Sequence, residues 1–508
     1  MQTTSAALKE KYRRVLSRET GTIIKEPGGR MPAALVYPNS YRVGMSNLGF
    51  HQVYKLLNSY PGSMAERFFY EGSNQPVISL ESFAPLPEFP VVAFSISYEL
   101  DYFNIPQILA SSGIPVYASE RCEDDPLVIA GGACIMANPV PLTPFFDALA
   151  IGEAEALLPG MVQVLREAGG SRREKLEALA KVPGFLVPGI TGNEPVKRVF
   201  LDDLNKESCH TVVFSPDTEF GHMFMLEVQR GCGRGCAFCM VNRVFAPPRF
   251  RSLENLLEAA REGLKHLRHI GLVGPLVTSH PQAEELVAGI RDMGAQISIS
   301  SLAVKPLSEK LLAELFLAGA RSVTMAPETG SPKLRKYVNK HITDAEIMES
   351  IARVSRAGFT GLKLYFMAGL PGETDSDITA MKELVLECQK TFGRRSLSIN
   401  VAPFVPKPFT QFEREGVMAL KTLEERLAFL TGELSARRVT VKVESPAWSR
   451  VQAMLSRGDE RLAPVIASLE KPTLTGWRRA LESAGIDEQD YLGRIPEGKN
   501  LPWGVISL

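Results

Sequence analysis

The chain has 508 residues, more than one hydrophobic core usually serves, so its length predicts two or three domains. Its 57 lysines and arginines balance its 57 aspartates and glutamates, which excludes a uniform charge that would draw the whole molecule to nucleic acid or to an anionic membrane. Seven cysteines in a chain of this length exclude a dense disulfide framework and are typical of a protein that keeps its thiols reduced.

The first residues carry charged side chains where a secretory signal needs an apolar segment. No run of the sequence reaches transmembrane length without a charge or a proline. We therefore expect a cytoplasmic protein that has no membrane partner.

Short apolar runs alternate with helix-like stretches from Met31 to about Gly170. This alternation predicts a doubly wound parallel sheet of the flavodoxin-like type, with helices on both faces. We place this N-terminal domain at residues 1–186. A polar, proline-spotted bridging segment follows at residues 187–221.

A second alternating block contains about six strand-helix units, enough for an open, partial (β/α)6 barrel of the TIM type. We assign residues 222–420 to this barrel. Residues 421–508 have the pattern of a small C-terminal region, mostly amphipathic helix with one short strand, "VTVKVES". The predicted fold class is α/β throughout the first two domains.

The segment "RGCGRGCAFC" gathers Cys232, Cys236 and Cys239 just after the first strand of the second block. Parallel barrels build active sites at the carboxyl ends of their strands, so this position predicts a functional loop. The interleaved glycines are Gly231, Gly233 and Gly235. They allow positive-φ turns and close approach of backbone amides to metal-bound sulfur. Three thiolates on a cluster of four irons leave one iron without a protein ligand.

A structural zinc site is the alternative interpretation of the same cysteines. It needs a fourth ligand, for which the sequence offers Cys209, His210 or His222. Zinc sites usually pair two C-x-x-C knuckles, and the sequence has no second one. The pattern therefore favours an iron-sulfur cluster.

The C-x-x-x-C-x-x-C spacing and its place at a strand end resemble the radical S-adenosylmethionine (radical SAM) superfamily. The resemblance implies a [4Fe-4S] cluster whose open iron chelates the amino and carboxylate groups of SAM. It further implies reductive cleavage of SAM to methionine and a 5′-deoxyadenosyl radical, with electrons from an external donor of the flavodoxin or ferredoxin type. It identifies no further catalytic residue.

Four residues match positions that contact SAM in the superfamily. Phe238 stands at the aromatic position that packs near the adenine. Glu328, in "MAPETGS", resembles the glutamate that ends a strand and contacts SAM, and it also fits a helix N-terminal acid. Ser331 and Asn339 are further candidates in the same segment.

Two later segments match the superfamily less closely. After the second strand, "GLVGPLVTSHP" lacks the Gly-Gly-Glu that binds the methionine amine, and Thr278 or Ser279 can take its place. The segment "YFMAGLPGETDSD" matches a glycine-proline turn found after the fifth strand. A plain loop followed by a helix capped by Thr374, Asp375 or Ser376 explains it equally well.

Residues 125–161 resemble the cobalamin-binding domain that precedes the radical SAM core in one large subgroup. Gly131 and Gly132 match one of its turns, and Ser95 and Ser97 match the serines at the end of its third strand. The Gly152-Glu153-x-Glu155 turn is a further match. Glycines at strand ends let a nucleotide tail approach the backbone closely.

The first strand-helix turn departs from that subgroup. Gly44 and Ser46 stand where cobalamin proteins with a lower histidine ligand carry aspartate and histidine. His51 is close by but is expected to face the following helix. Cobalamin can then bind without a lower protein ligand, or the domain can serve only as a scaffold.

The whole chain resembles a bacterial radical SAM family, also through "PFVPKPFT" and "RGDERL". In the first of these, Lys407 points either into the barrel mouth or out to solvent. In the second, Arg457, Asp459, Glu460 and Arg461 are expected to form an exposed helix start with local ion pairs.

We therefore predict a radical SAM enzyme that modifies an unidentified substrate, with cobalamin-dependent methylation of RNA or a protein as its specific form. A radical SAM reaction without cobalamin, such as methylthio transfer, is an alternative, but methylthio transfer usually needs a second cluster held by three more N-terminal cysteines. Cys122 and Cys134 do not supply them. A non-catalytic iron-sulfur sensor is the alternative from another class.

Overall fold

The computed structural model describes residues 2–72, 75–393 and 395–508. Its N-terminal domain contains, in chain order, α1 (Gln2–Arg18), β1 (Met31–Tyr37), α2 (Tyr41–Gly44), α3 (Leu48–Ser59), β2 (Ser63–Phe69), β3 (Val91–Ser95), α4 (Asn104–Ser111), β4 (Leu127–Gly131), α5 (Ala133–Ala137), β5 (Ala148–Ala150), α6 (Ala154–Glu167), α7 (Arg172–Leu179) and β6 (Phe185–Leu186). The strands form one sheet in the order β2-β1-β3-β4-β5-β6. The first five are parallel in the flavodoxin-like order, which confirms the predicted fold class.

The sheet is buried on both faces because alternate residues of its central strands enter different cores. Ala34 and Val36 of β1 belong to one apolar cluster, and Ala33 and Leu35 belong to another. Side chains of a strand alternate between faces, so the near-continuous apolar run "AALVY" is what a doubly covered strand requires. The short β6 pairs antiparallel with β5 at the sheet edge.

The bridging segment runs along the N-terminal domain rather than away from it. It contains β7 (Val196–Lys197), and Val199 forms a parallel bridge with Gly152. The segment therefore fixes the turn that follows β5.

The barrel region contains β8 (Phe224–Glu227), β9 (Gln229–Arg230), α8 (Val241–Val244), β10 (Arg249–Phe250), α9 (Leu253–Gly263), β11 (His269–Val273), α10 (Ala283–Asp292), β12 (Gln296–Ile299), α11 (Glu309–Leu317), β13 (Ser322–Glu328), α12 (Pro332–Tyr337), α13 (Asp344–Arg356), β14 (Gly361–Ala368), α14 (Asp375–Phe392), β15 (Ser396–Pro403), α15 (Leu420–Ser435) and β16 (Thr440–Val443). Two parallel sheets, β12-β11-β8 and β13-β14-β15-β16, are joined by a bridge between Leu302 and Met325. The barrel sheet thus continues into β16, beyond the boundary expected at residue 420. The short strand assigned to the C-terminal region is the seventh strand of the open barrel.

The remaining elements are α16 (Pro446–Arg457), α17 (Leu462–Ala467), α18 (Leu474–Ser483), α19 (Gln489–Leu492) and β17 (Ile506–Ser507). Their apolar side chains join a core of the N-terminal domain, and the rings of Trp477 and Phe103 meet edge to face at 5.6 Å. Strand β17 pairs with β7. The C-terminal helices therefore bind the N-terminal domain to the barrel.

The "RGDERL" segment corrects one expectation. Arg457 is buried, and its guanidinium donates to backbone carbonyls that include Glu415 O at 2.7 Å. Asp459 and Arg461 do form the expected local ion pair at the surface. Arg457 is long enough to satisfy carbonyls of the 413–415 loop and the end of α19, so the helix end is a structural junction.

None of the helices in the described ranges combines the length and the apolar character that a membrane crossing needs.

Candidate functional site

The three clustered cysteines lie in a loop, residues 231–248, between β9 and β10. All three are free and half-buried, and Cys232 and Cys236 line one surface recess. The loop is held by hydrogen bonds from its neighbours. Ala237 N donates to Val338 O at 3.1 Å, and Asn242 Nδ2 donates to Cys236 O at 3.0 Å. The sulfur atoms are thus presented by a fixed backbone at the carboxyl end of the first barrel strand.

Glycine is required at the start of this loop. Gly231 has φ of +77°, and a Cβ at this position would lie 2.4 Å from Phe245 O. Gly235 also takes a positive φ, whereas Gly233 does not, so only two of the three glycines have the predicted conformation. The close approach at Gly231 brings the two ends of the loop together.

The thiols of Cys236 and Cys239 are neutral in the metal-free chain. Burial raises the pKa of Cys236 to about 11, and the nearby ammonium of Lys340 opposes that rise. Burial also raises the pKa of Cys239. Metals bind thiolates, so loading this loop with iron must release protons.

The side chains do not form a site for a single ion. Among the described residues, no group of three or more His, Cys, Asp or Glu side chains is arranged to hold one metal ion. Cys209 is buried beside Glu227 and Arg230, and His210 is occupied by a hydrogen bond to Thr211 O at 2.9 Å. In a [4Fe-4S] cluster each thiolate binds a different iron, so a cluster does not need the three sulfurs to surround one ion as zinc does.

Glu328 ends β13 beside the cysteine loop. Its φ is +72°, rare for a side chain of this kind, and the ladder between β13 and β14 shifts register there. Its carboxylate accepts a hydrogen bond from Lys340 Nζ at 2.9 Å. Burial raises the pKa of Glu328, and Lys340 limits the rise. The strained strand end therefore places a mostly buried acid, its side chain 12% exposed, next to the cysteines.

Lys340 was not identified from the sequence. Burial alone would lower its pKa, but Glu328 and the neighbouring Cys236 raise it above the usual value. The side chain is thus a cation held next to the cysteine loop. A lysine twelve residues from its glutamate gives no pattern that sequence reading detects.

The other residues predicted to contact SAM have different local roles. Ser331 caps α12 by accepting from Leu334 N, and Asn339 donates to Gly235 O and Gln411 Oε1, both at 3.2 Å. Phe238 packs beside a small apolar cluster that includes Leu334. Phe238 therefore lies within the cysteine loop, and Glu328 and Asn339 lie beside it. The contact of these residues with SAM stays a prediction.

Thr278 and Ser279, the two candidates to replace the missing family glutamate, both have hydrogen-bond partners within the protein. Thr278 Oγ1 accepts from Ala303 N at 3.2 Å, and Ser279 Oγ donates to Leu276 O at 2.7 Å. In the glycine-proline turn, Thr374 caps α14 through a capping box with Asp377. Burial raises the pKa of Glu373 in that turn to about 7.

A cavity of ≈ 400 Å³ lies between the N-terminal domain and the barrel. Its walls include the last residues of four strands: Ser95 of β3, Gly131 of β4, Glu227 of β8 and Val273 of β11. The carboxyl ends of the N-terminal sheet and of the barrel sheet β12-β11-β8 therefore face one space. Ligands of parallel sheets bind at these ends. Ser97 and Gly132 also line the cavity, so the four residues predicted for cobalamin lie together.

Most of the cavity wall is glycine backbone and small or apolar side chains, and a group of charged residues that includes Glu153 and Arg230 lines one part of it. Gly132 has φ of +113°, and an added Cβ would lie 2.4 Å from Ile96 O. At Gly131 an added Cβ would meet Ala150 Cβ at an ordinary 3.5 Å. The tight turn requires glycine at position 132, whereas glycine at 131 leaves the backbone open to a ligand.

His51 is a structural residue. Its Nε2 lies 3.0 Å from Met45 O, and its Nδ1 accepts from Val212 N at 3.2 Å and Val213 N at 3.3 Å. Burial lowers its pKa to about 4. No histidine is among the cavity-lining residues in the described part of the chain.

A buried ion network crosses from the N-terminal domain to the cysteine loop. Arg230 donates to Glu153, Glu155 and Glu227, and Arg249 donates to Glu153. Burial alone would raise the pKa of Glu153, but Arg249 and Arg230 hold it below its usual value. The sequence indicated the turn at Glu153 and Glu155 but not these partners, because Arg230 follows Glu153 by 77 residues.

Lys407 points inward. Its ammonium pairs with the buried Glu99 of the N-terminal domain, which also accepts from Gln452 Nε2 at 2.9 Å. The loop after β15 is thereby tied to the N-terminal domain.

Family models match both domains. The model described as "Radical SAM superfamily" matches residues 226–385, and the model described as "Radical SAM proteins, N-terminal" matches residues 49–188. An uncharacterized protein from Methanocaldococcus jannaschii is 30% identical over 449 residues, which are 87% of this chain and 91% of that protein. The similarity to that relative therefore spans nearly the whole chain.

Two further comparisons are more distant. A tRNA-2-methylthio-N(6)-dimethylallyladenosine synthase from Desulfosudis oleivorans is 25% identical over 221 residues, 41% of this chain and 47% of the synthase. The chain thus spans about half the length of that methylthiotransferase. The structure of the radical S-adenosylmethionine methyltransferase TsrM from Kitasatospora setae, with cobalamin and a [4Fe-4S] cluster bound, matches with a TM-score of 0.56 and 12% identity over 90% of this chain and 98% of TsrM. At this identity the likeness concerns the fold.

Proposed function

This chain belongs to the radical SAM superfamily, and from that premise we propose that it is a cobalamin-dependent radical SAM enzyme that methylates an unidentified substrate. Members of the superfamily use a [4Fe-4S] cluster and SAM and take electrons from an external donor. In this chain Cys232, Cys236 and Cys239 would hold the cluster, since their thiols are free and share one fixed loop. When bound, the cluster supplies the electron that cleaves SAM.

The chain's own residues beside the loop bind and orient SAM. The carboxylate of Glu328 accepts hydrogen bonds from hydroxyl groups, and the ammonium of Lys340 donates to a carboxylate. The two groups pair with each other at 2.9 Å in the SAM-free chain, so neither buried charge is left alone. Both then exchange a protein partner for a SAM partner, which limits the desolvation cost of binding.

The cavity between the two domains carries the proposal of a cobalamin site. It is lined by strand ends of the N-terminal sheet, by strand ends of the β12-β11-β8 sheet and by Phe245, which lies in the cysteine loop. A ligand in this cavity would be next to the loop that holds the cluster. Its volume of ≈ 400 Å³ is in the range of pockets for ordinary small molecules and is smaller than a whole cobalamin, so the cavity would hold part of that cofactor. TsrM, whose fold is similar, binds cobalamin together with a [4Fe-4S] cluster.

Cobalamin would bind without a histidine below the cobalt. His51 has both ring nitrogens hydrogen bonded, and Ser46 Oγ donates to Arg42 O at 2.6 Å. Neither side chain lines the cavity. The apolar wall and the exposed backbone at Gly131 supply the contacts instead.

Methylthio transfer is less well supported, although synthases of this kind are among the relatives. It usually needs three further N-terminal cysteines, and the first 186 residues contain Cys122 and Cys134. Cys122 is exposed and Cys134 is buried. The sensor alternative has no supporting observation, and the prediction of RNA or protein as substrate stays a prediction.

Anaerobic cobalamin binding tests the proposal. The full chain is reconstituted with iron and sulfide, mixed with hydroxocobalamin and separated by gel filtration. We expect co-elution of one cobalamin per chain and a visible spectrum that lacks the shift caused by a histidine ligand. With SAM and a reductant, the loaded protein should form 5′-deoxyadenosine or S-adenosylhomocysteine. No retained cobalamin, with SAM still consumed, would contradict the methylation proposal and leave a cobalamin-independent enzyme.

A further inference from the structure

The cysteine loop is closed at its base by two arginines. Arg230 and Arg249 are paired across the short antiparallel ladder of β9 and β10, one before and one after residues 231–248. Their Nη1 atoms both donate to Glu153 Oε2, at 2.8 Å and 3.0 Å respectively. One carboxylate of the N-terminal domain therefore holds both ends of the loop that carries the cysteines.

The position of Glu153 is itself fixed. Its backbone N donates to Val199 O at 2.9 Å, and its Oε2 accepts from Leu201 N at 3.1 Å. A Cβ at the preceding Gly152 would lie 2.3 Å from Val199 O. The Glu153 side chain is 2% exposed, so its oxygens are almost fully shielded from bulk solvent. The carboxylate is a rigid point rather than a mobile surface group.

Glu153 is also one of the residues that line the interdomain cavity. Gly152, Glu153 and Glu155 line it from the N-terminal domain, and Arg230 and Phe245 line it from the base and the end of the cysteine loop. A molecule that fills the cavity would contact Glu153 and the loop at once.

We propose that Glu153 is a positioning residue that couples occupancy of this cavity to the conformation of the cysteine loop. This clamp, in which Glu153 holds both Arg230 and Arg249, is argued from the geometry alone. Only the identity of the cavity ligand, cobalamin, rests on the proposed function. Coupling between two sites is reciprocal. A cavity ligand therefore tightens the loop, and an assembled cluster tightens ligand binding by the same factor.

The remaining contacts of the two arginines predict which end of the loop depends most on Glu153. Arg230 keeps Glu155 and Glu227 as partners when Glu153 is neutralised. Arg249 has no second carboxylate among its contacts in the described ranges and keeps backbone carbonyls, such as Pro247 O at 3.1 Å, and the Phe200 ring at 5.0 Å. Loss of the Glu153 charge should therefore loosen residues 245–250 more than residues 229–232.

Hydrogen exchange on the full-length, cluster-free chain tests the clamp without any ligand. We expect Glu153→Gln to speed amide exchange in residues 231–250 roughly tenfold, most at the 245–250 end. Glu153→Asp keeps the charge but shortens the side chain by one methylene group. It is the variant to measure if Glu153→Gln does not fold. The matched control is Glu81→Gln, which removes a buried carboxylate bonded to Arg67 at 2.6 Å in the same domain, away from the cavity. Unchanged loop exchange in a folded Glu153 variant would overturn the proposal.

Hydroxocobalamin binding tests the coupling. In the wild type and in Glu81→Gln, the reconstituted cluster should tighten binding at least about fivefold, and in Glu153→Gln the cluster should leave binding unchanged. The reductant converts hydroxocobalamin to EPR-active cob(II)alamin in every sample. After that signal is subtracted, the EPR spectrum of the reduced cluster should change on saturation with hydroxocobalamin in the wild type but not in Glu153→Gln. A purely structural role of Glu153 would weaken binding equally with and without the cluster.

The outcomes separate the two claims. If the wild type binds no hydroxocobalamin, the cobalamin assignment fails, and the clamp is decided by the exchange experiment. If it binds hydroxocobalamin with the same affinity with and without the cluster, the coupling through Glu153 is wrong even though the proposed function stands.

Discussion

The cysteine loop and the interdomain cavity are built in opposite ways. The loop presents reactive side chains, Cys232, Cys236 and Cys239, on a backbone held by Asn242 and Asn339. The cavity is an apolar space, and at the strand ends glycines such as Gly131 and Gly132 stand where side chains would narrow it. The cysteine loop should therefore lose its function when one thiol is removed. The cavity should lose its function when one methyl group is added to its wall.

Removal of a cluster cysteine should have the largest effect. Cys236→Ala leaves two thiolates for a cluster that takes three, so we expect no stable [4Fe-4S] cluster and no SAM cleavage. Iron content and visible absorbance after reconstitution measure this directly. The control is Cys122→Ala, which removes an exposed thiol outside the loop and should bind iron as the wild type does. Equal iron loading of the two variants would contradict the assignment.

Addition of a methyl group to the cavity wall should have the next largest effect. Gly132→Ala forces a Cβ to within 2.4 Å of Ile96 O at a positive φ, so it should lower the free energy of unfolding by about 3 kcal/mol or more. Gly131→Ala meets no such clash and should fold normally but bind hydroxocobalamin more weakly. Urea unfolding and gel filtration separate the two effects. Normal cobalamin binding by Gly131→Ala would argue against ligand contact at this strand end.

The stability of the N-terminal domain should depend on pH through His51. Burial lowers its pKa from 6.5 to about 4, so the unfolded chain binds this proton first as the pH falls. The wild type should lose about 3 kcal/mol more unfolding free energy between pH 7 and pH 4 than His51→Gln does. His51→Gln should retain hydroxocobalamin binding with an unchanged spectrum. Loss of cobalamin with a spectral shift would instead identify His51 as a ligand of cobalt.

Asn339 should have the smallest effect. Its side chain bonds Gly235 O and Gln411 Oε1, and its φ is +58°. Asn339→Gly removes the hydrogen bonds but keeps the backbone unstrained, and Asn339→Ala adds strain of about 1 kcal/mol. Both variants should lose the cluster to a chelator a few times faster than the wild type, with Asn339→Ala the faster. Identical rates in all three proteins would show that the loop does not need this support.

The same contrast explains what the sequence could predict. The cysteines were identified because their spacing is local and their chemistry is specific, and β1 was recognisable because both of its faces are apolar. Lys340 and the partners of Glu153 could not be identified from the sequence, because each pairs with a residue distant along the chain. The burial of Arg457 was missed for a related reason, since its partners are backbone carbonyls that any sequence has. The strand β16 was identified as a strand, but its place in the barrel is set by pairing with β15.

The central claim is that the three-cysteine loop holds a cluster with one iron open to SAM. EPR of the anaerobically reconstituted and reduced full chain, with and without SAM, tests it most directly. We predict the signal of a reduced [4Fe-4S] cluster and a clear change of that signal when SAM is added, both absent in Cys236→Ala. A protein that retains zinc instead of iron, or a cluster whose signal SAM leaves unchanged, would contradict the account.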